Sequence, residues 1–186
     1  MATLFVDKLD PQSGTTLEIG SSGDTVNLAG TVGTGFPANT PYFEVLLSTV
    51  AVTLTSGVAL KIPFNVTSQN VGGGTWDGTN YRWTPGVAGR YMISVTASIS
   101  ADSNNAQMAT LLDVRKNGTI EHYVSGTNNR DDGQGRGHLS GGTCMVDLDT
   151  DDYIEAFATN TSESSAAGRI DGESTQTFMS GFKITE

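Results

Sequence analysis

The side chains able to do acid–base or nucleophilic chemistry are few in this sequence. His122 alternates within a strand-like run, His138 ends a glycine-rich segment, and neither lies near a Gly-x-Ser-x-Gly turn. A hydrolase needs a nucleophile, a base and an orienting carboxylate brought together. Cys144 lies beside Met145 and Val146, where a small core thiol is the better interpretation. Clustered zinc ligands are missing from the sequence. We therefore expect a protein that is not an enzyme.

Two acidic clusters are the candidates for a metal site. Asp131 and Asp132 lie in a glycine-rich segment, and Asp149, Asp151 and Asp152 follow an apolar run. Calcium takes about six to eight oxygen ligands, which such turns supply. The helix-loop-helix calcium pattern is absent, and solvated acidic turns are the alternative interpretation. Calcium is thus the one cofactor that the sequence leaves open, and no other cofactor is expected.

The longest polar segments, residues 128–138 and 162–169, are the candidate recognition loops. The run at 133–137 does not lead from a strand into a helix, so it does not fit a phosphate-binding loop. Polar loops on a rigid β scaffold are a usual place for recognition. The residues selected there are Asn128, Arg130, Gln134, Arg136, His138, Ser162 and Arg169.

The charge balance excludes several partners. The 186-residue chain has 20 acidic and 10 basic residues and a formal net charge of -10. Nucleic-acid binders neutralise phosphates with Lys and Arg, so no nucleic acid is expected. No apolar stretch approaches the roughly 18 residues needed to cross a bilayer, so no membrane insertion is expected. Residues 1–7 lack the basic and apolar regions of a signal peptide, which predicts synthesis in the cytosol.

Short strand-like runs separated by Gly, Asn, Asp and Ser predict an all-β protein with two parts. In residues 1–41, the alternating run at 16–20 recurs at 25–29. Such units gain stability only by stacking on copies, so we expect a β-repeat arm and linker that serves as a stalk or virion anchor. A flexible tail with accidental alternation is the alternative. Residues 42–186 are the predicted head domain.

The strands of the head are closely spaced. Residues 89–99 form a long alternating run, and residues 110–115 and 119–124 flank Asn117-Gly118. Asn-Gly between two such runs is the strongest hairpin signal in the chain. Eight or more strands of this kind predict a sandwich or jelly roll.

Several motifs of residues 42–186 occur in a recognisable order. They are Ile62-Pro63-Phe64-Asn65, Gly73-Gly74, Trp76-Asp77-Gly78, Tyr81-Arg82-Trp83-Thr84-Pro85, Gly89-Arg90-Tyr91, Lys116-Asn117-Gly118, Leu148-Asp149-Thr150-Asp151-Asp152-Tyr153 and Phe178-Met179-Ser180-Gly181-Phe182. This order resembles the globular-head domain of complement component 1q, which is related to the tumour necrosis factor domains.

The resemblance implies a two-sheet jelly roll that assembles as a homotrimer through a largely apolar face. Residues around Tyr91, Tyr153, Phe178 and Phe182 would then be shared between the core and the trimer interface. The sequence departs from the family where Asp151 replaces the glycine of a Gly-Asp turn. It also has no collagen-like stalk before the head.

The amino-terminal repeats followed by a small head resemble fibre and head-decoration proteins of tailed phages. This implies a trimeric structural protein of the virion, assembled in the host cytoplasm: a capsid decoration or cement protein, or a short head or tail fibre or spike. Its partners would be major capsid or tail proteins, with a host-surface glycan or protein at the head loops. The alternative is a free carbohydrate- or protein-binding trimeric module of lectin type. Capsid and tail locations both stay open.

Overall fold

The computed structural model describes the following residues and ranges: Ser13, Thr15, 39–48, 50–101, 107–128, 137–162 and 167–185. The chain divides between Pro37 and Ala38, and the first described strand begins at Tyr42. The repeats at 16–20 and 25–29 lie outside the described residues. The separation into an arm over 1–41 and a head over 42–186 stays a prediction.

The described residues are all β, as predicted. They include no helix that is long and apolar enough to cross a membrane. The strands are β1 (Tyr42–Leu46), β2 (Val52–Leu54), β3 (Leu60–Lys61), β4 (Val66–Val71), β5 (Thr75–Asp77), β6 (Arg82–Thr84), β7 (Gly89–Ala101), β8 (Gln107–Lys116), β9 (Thr119–Asn128), β10 (Gly137–Leu148), β11 (Ile154–Ser162), β12 (Gly168–Ile170) and β13 (Phe178–Thr185).

The strands form two antiparallel sheets. In the first sheet, β10 pairs with one edge of β7 along its length. The other edge of β7 pairs with β13 near the start of β7 and with β12 near its end. The sheet continues from β13 to β1 and β4, and from β12 to β2. The second sheet has the order β5-β6-β11-β8-β9, with β3 also on β11.

The central strand β7 shows why these residues form a sandwich. Its odd-numbered residues from Tyr91 to Ile99 are completely buried, whereas Met92, Ser94 and Thr96 are only half-buried. Successive side chains of a strand point to opposite faces, so the odd residues enter the core and the even residues lie on the outer face of the first sheet. Each large apolar side chain buried in this way contributes about 1.5–3 kcal/mol.

An aromatic cluster joins the two sheets. Trp83 of β6 stacks on Phe43 of β1 with ring centroids 4.3 Å apart and meets Tyr91 of β7 edge-on at 5.5 Å. The indole Nε1 of Trp83 donates to Asn70 Oδ1 at 3.2 Å, which satisfies its one polar group. A Cβ at Gly74 would lie 2.5 Å from the Trp83 ring, so only glycine lets this segment pass over the indole.

The predicted hairpin is confirmed between β8 and β9. Asn117 and Gly118 have φ angles of 52° and 79°. Positive φ at both central residues is the requirement of the type I′ turn, whose twist matches that of the strands it joins.

Replacing Trp83 by Ala should lower the free energy of unfolding by about 3–5 kcal/mol, because it empties the contact between the sheets. Denaturant unfolding followed by fluorescence or circular dichroism measures this. Tyr123→Ala, at an aromatic residue that is 63% exposed, is the matched control and should cost about 0.5 kcal/mol or less. Equal losses in the two variants would show that the cluster does not hold the sheets together.

Candidate interaction surface

The outer face of the first sheet carries a continuous row of apolar side chains. Cross-strand pairing places Tyr42 opposite both Val71 and Phe182, Phe182 opposite Met92, and Met92 opposite Met145. Directly paired residues lie on the same face, so these five side chains form one line across β4, β1, β13, β7 and β10. We call this line the apolar row.

The apolar row is open to solvent in the single chain. Met145 is 60% exposed, and Tyr42 and Val71 are each exposed by more than a third. A hollow of about 340 Å³ lies beside the row, and its lining residues are Asn39, Tyr42, Phe43, Ser180, Gly181 and Phe182. A Cβ at Gly181 would lie 2.6 Å from Ile93 Cδ1, so this position requires glycine. A contiguous exposed apolar surface of this kind marks an interaction site.

Polar groups border the apolar row on both sides. On one side, Arg90 makes a two-pronged ion pair with Asp147, with Nε–Oδ1 at 2.7 Å and Nη2–Oδ2 at 2.9 Å. The hydrogen bond from Arg90 lowers the pKa of Asp147. On the other side, Glu44, Ser180 and Ser94 are aligned across β1, β13 and β7. An apolar centre with a polar rim is the usual anatomy of a protein–protein interface.

The four residues assigned to the core or trimer interface occupy three different places. Phe182 lies in the apolar row, and Phe178 lies on the same outer face opposite Leu46. Tyr91 is in the core, where its hydroxyl donates to Val87 O at 2.6 Å and burial raises its pKa to about 12. Tyr153 is half-buried at the end of the second sheet, with the Arg82 guanidinium 4.5 Å from its ring centroid.

The outer face of the second sheet carries ion pairs as well as exposed apolar side chains, among them Tyr123 and Ile120, which lie opposite Asp113 and Arg115. Asp113 and Glu155 lie on this outer face and are nevertheless buried, whereas the residues before and after each of them face the core. Asp113 Oδ1 accepts a hydrogen bond from Arg115 Nε at 2.7 Å, and Glu155 pairs with Lys61. The Arg115 guanidinium lies 3.6 Å from the centroid of the Phe157 ring. This face pairs its buried charges internally, whereas the apolar row of the first sheet contains no charged residue.

A buried carboxylate organises the turn between β10 and β11. Asp152 accepts hydrogen bonds from Asp149 N at 2.7 Å, from Asn117 Nδ2 at 2.6 Å and from Lys116 Nζ at 2.7 Å. Burial by itself would raise the pKa of Asp152, but these hydrogen bonds outweigh it and lower the pKa. The hydrogen bond to Asp152 in turn raises the pKa of Lys116. The turn is thereby tied to the hairpin at Asn117.

In the acidic turn, the ammonium group of Lys116 forms an ion pair with Asp152, one of the candidate calcium ligands. The neighbouring Asp149 and Asp151 are exposed. In the described ranges no group of three or more His, Cys, Asp or Glu side chains could hold a metal ion. Asp131 and Asp132 lie outside those ranges, so calcium there stays a prediction. Asp151 does not adopt a positive φ, so glycine is not needed at this turn.

The candidate recognition residues that are described gather at one end of the sandwich, which we call the apex. Register pairs Ser100 with Gly137, Ala101 with Gly168, and Ala109 with Asn128, so these strand ends lie together. Asn128, His138 and Arg169 are therefore apical. Arg130, Gln134 and Arg136 lie outside the described residues.

Ser162 was predicted to be a surface recognition residue, and the structure corrects this prediction. It is buried, and its hydroxyl accepts a hydrogen bond from Asn160 Nδ2 at 2.6 Å. Its backbone N–H donates to Ser56 Oγ at 3.0 Å. Buried polar groups need such partners, so Ser162 serves the interior of the sandwich.

The candidate catalytic side chains are not brought together. His122 is exposed on β9 of the second sheet, whereas Cys144 and His138 are on β10 of the first. Cys144 and His138 are separated by roughly 20 Å along the strand. Cys144 packs against the core, and burial raises its pKa to about 11, which opposes formation of the reactive thiolate.

Comparison with known proteins identifies the fold class. No protein-family model and no curated protein sequence matches the chain. Among solved structures, Eiger TNF from S. frugiperda is similar, with a TM-score of 0.56 and 9% identity over 78% of this chain and 92% of that chain. Murine APRIL at pH 5.0 is similar over 77% and 98%, with a TM-score of 0.56 and 10% identity.

The globular domain of zebrafish complement 1qA is also similar, with a TM-score of 0.52 and 14% identity over 78% of this chain and 98% of that chain. The chain therefore has the jelly-roll sandwich fold of the tumour necrosis factor and complement 1q domains. This confirms the predicted fold class. At these identities the likeness concerns the fold alone.

Asp152→Asn should lower the free energy of unfolding at neutral pH by about 1–3 kcal/mol, because Lys116 loses its charged partner. Urea unfolding measures the loss, and Asp151→Asn, at the exposed neighbour, should change it by about 0.5 kcal/mol or less.

The stability difference between the wild type and Asp152→Asn should depend on pH. Because the folded-state pKa of Asp152 is lowered, its contribution is complete above the ordinary carboxyl pKa of about 4 and is lost as the pH falls through the lower folded-state value. The stability gap between wild type and Asp152→Asn should therefore close in acid. A gap that persists unchanged at the lowest pH would contradict the assignment.

Proposed function

We propose that the protein is a non-catalytic structural protein that assembles as a homotrimer through the outer face of its first sheet. The observation that carries the proposal is the apolar row from Val71 to Met145, which crosses five strands and is exposed in the single chain. Covering this row with a second copy removes apolar surface from water, which stabilises the assembly by about 25 cal/mol per Å².

The shape of the apolar surface supports a cyclic assembly. The row runs across the sheet to β10, which is an edge strand of this sheet, and Met145 of β10 is strongly exposed. A surface that combines a sheet face with the adjoining edge suits head-to-tail contacts, in which the edge of one copy meets the face of the next. Such contacts form a ring when the rotation between neighbouring copies closes, and the resemblance to complement 1q and tumour necrosis factor domains implies a closed ring of three members.

The charge distribution also favours the outer face of the first sheet as the contact between subunits. Each chain has a net charge of -10, so three chains repel one another wherever their acidic surfaces meet. The apolar row contains no charged residue. On one border Arg90 and Asp147 neutralise each other, and Glu44 is the charged residue on the other border. The acidic surplus can therefore stay on the surfaces that face solvent.

The setting we propose for the trimer is a phage-type virion. The alternating runs at 16–20 and 25–29 support it, because three heads held together bring three copies of weak strands side by side. The protein would be a capsid decoration or cement protein, or a short head or tail fibre or spike, with major capsid or tail proteins as partners. A free trimeric carbohydrate- or protein-binding module is the second candidate, which the polar apex favours.

Light scattering on a sizing column tests the trimer. The full chain and a chain starting at Tyr42 should both have the mass of three copies. Met145→Lys should reduce the full chain to monomers, because a lysine buried without a partner in the contact costs several kcal/mol. Val58→Lys is the control, because Val58 is 54% exposed but lies between β2 and β3, and this variant should stay trimeric.

Two results would overturn the assembly proposal: a monomeric wild type, or equal dissociation of Met145→Lys and Val58→Lys. Thermal unfolding of each variant separates dissociation from misfolding. The virion setting has its own test in the neighbouring genes. Coat, portal or tail genes alongside are expected, whereas a neighbourhood of unrelated metabolic genes would contradict it.

A further inference from the structure

A polar pocket of about 440 Å³ lies at the apex between β12 and the turn that precedes β13. Its lining residues are Ala51, Arg169, Asp171, Gly172, Glu173 and Gln176. The pocket is distant from the apolar row, although both belong to the first sheet. Ser100, which contacts Arg169, lies roughly 26 Å along β7 from Met92 at the usual rise of a strand. We infer that this pocket binds a neutral carbohydrate.

Arg169 lines the pocket, and hydrogen bonds through its Nε hold it in place. Its Nε donates to Asp171 Oδ1 at 2.8 Å and to Ser100 Oγ at 3.1 Å. The other carboxylate oxygen of Asp171 accepts from Ser98 Oγ at 3.1 Å. No described residue forms a hydrogen bond with the two terminal nitrogens of Arg169, and the side chain is about half exposed. A positioned guanidinium edge is therefore available to a ligand.

The turn that completes the pocket is rigidly anchored. The hydroxyl of the fully buried Thr177 donates to Asp171 O at 2.8 Å and accepts from Ser98 N at 3.2 Å. The backbone N–H groups of Gln176 and Thr177 both donate to Glu173 O at 2.8 Å. The backbone that carries the polar side chains is thus ordered before any ligand arrives, which reduces the entropy cost of binding.

The ligand class follows from the groups that the pocket presents. The guanidinium edge of Arg169 only donates hydrogen bonds, the carboxylate of Glu173 only accepts them, and the amide of Gln176 does both. Both Glu173 and Gln176 are exposed, and within the described part of the chain their side chains have no hydrogen-bond partner. Neighbouring hydroxyls of a sugar supply the matching set, since each hydroxyl donates once and accepts twice.

Charged and apolar ligands fit the pocket less well. The charge of Arg169 is already balanced by Asp171, so the added carboxylate of Glu173 repels an anion. A cation would find only the single carboxylate of Glu173, because the carboxylate of Asp171 is already paired with Arg169. The lining contains no aromatic or large aliphatic side chain against which an apolar ligand could pack. A neutral polyhydroxylated molecule is the class that remains.

The inference deepens the proposed function, because a host-surface glycan would be the natural source of such a sugar. Only this identification of the source rests on the proposed function. The pocket is formed by one chain. Carbohydrate binding can therefore be measured whether or not the chain is a trimer.

Saturation-transfer NMR with the full chain tests the inference. The probes are the methyl glycosides of glucose, galactose, mannose, rhamnose and N-acetylglucosamine. At least one should receive saturation, with a dissociation constant on the order of 1 mM. Arg169→Met and Glu173→Gln should each weaken that binding by about tenfold or more, because each removes a charged hydrogen-bonding group. Arg82→Met, at an arginine that lies over Tyr153 on the second sheet, should bind as wild type does.

The inference is wrong if no glycoside receives saturation from the wild type, or if both pocket variants bind as strongly as the wild type. Glu173→Gln changes an exposed side chain and keeps the test valid even if Arg169→Met is poorly folded. Light scattering on the same samples separates the two proposals. A trimer that binds no sugar overturns only the inference about the pocket, whereas a monomer that binds sugar overturns only the assembly.

Discussion

The register of β7 against β10 and β13 is the constraint on which the other features depend. Tyr91, Ile93 and Val95 are completely buried, and a slip of one residue would exchange them for Met92, Ser94 and Thr96. Such a slip would cost several buried apolar side chains at once. The face that β7 must bury therefore determines which residues it leaves outside. The apolar row on the outer face is the direct consequence of a well-packed inner face.

Much of the fold could be predicted because its main signals are local. The alternation of β7 and the Asn117-Gly118 turn each depend on neighbours in sequence. The prediction was less accurate where the chain is buried but does not form backbone hydrogen bonds with a neighbouring strand. The apolar run over 58–66 pairs as a strand only at Leu60–Lys61 before β4 begins at Val66, and Phe64 is buried between these two strands. Pro63 lacks a backbone N–H and interrupts pairing there.

The sites were harder to predict because their members are distant in sequence. The apolar row takes its residues from five strands between positions 42 and 182, so it is visible only once the register is known. Arg169 was selected from sequence, but Ser98 and Ser100, which position it with Asp171, lie about seventy residues earlier. The ion pair of the acidic turn could not be predicted for a related reason. Sequence shows the carboxylate of Asp152, but not that the fold brings Lys116 to it.

The length of β7 has a consequence for how this protein can change over evolutionary time. The apical pocket and the apolar row lie at opposite ends of the strand, farther apart than the roughly 8 Å over which exposed charges interact at physiological salt. Substitutions at such separations have nearly additive effects. A lineage can therefore vary its apical side chains and accumulate new specificities while the contacts between subunits stay under separate selection.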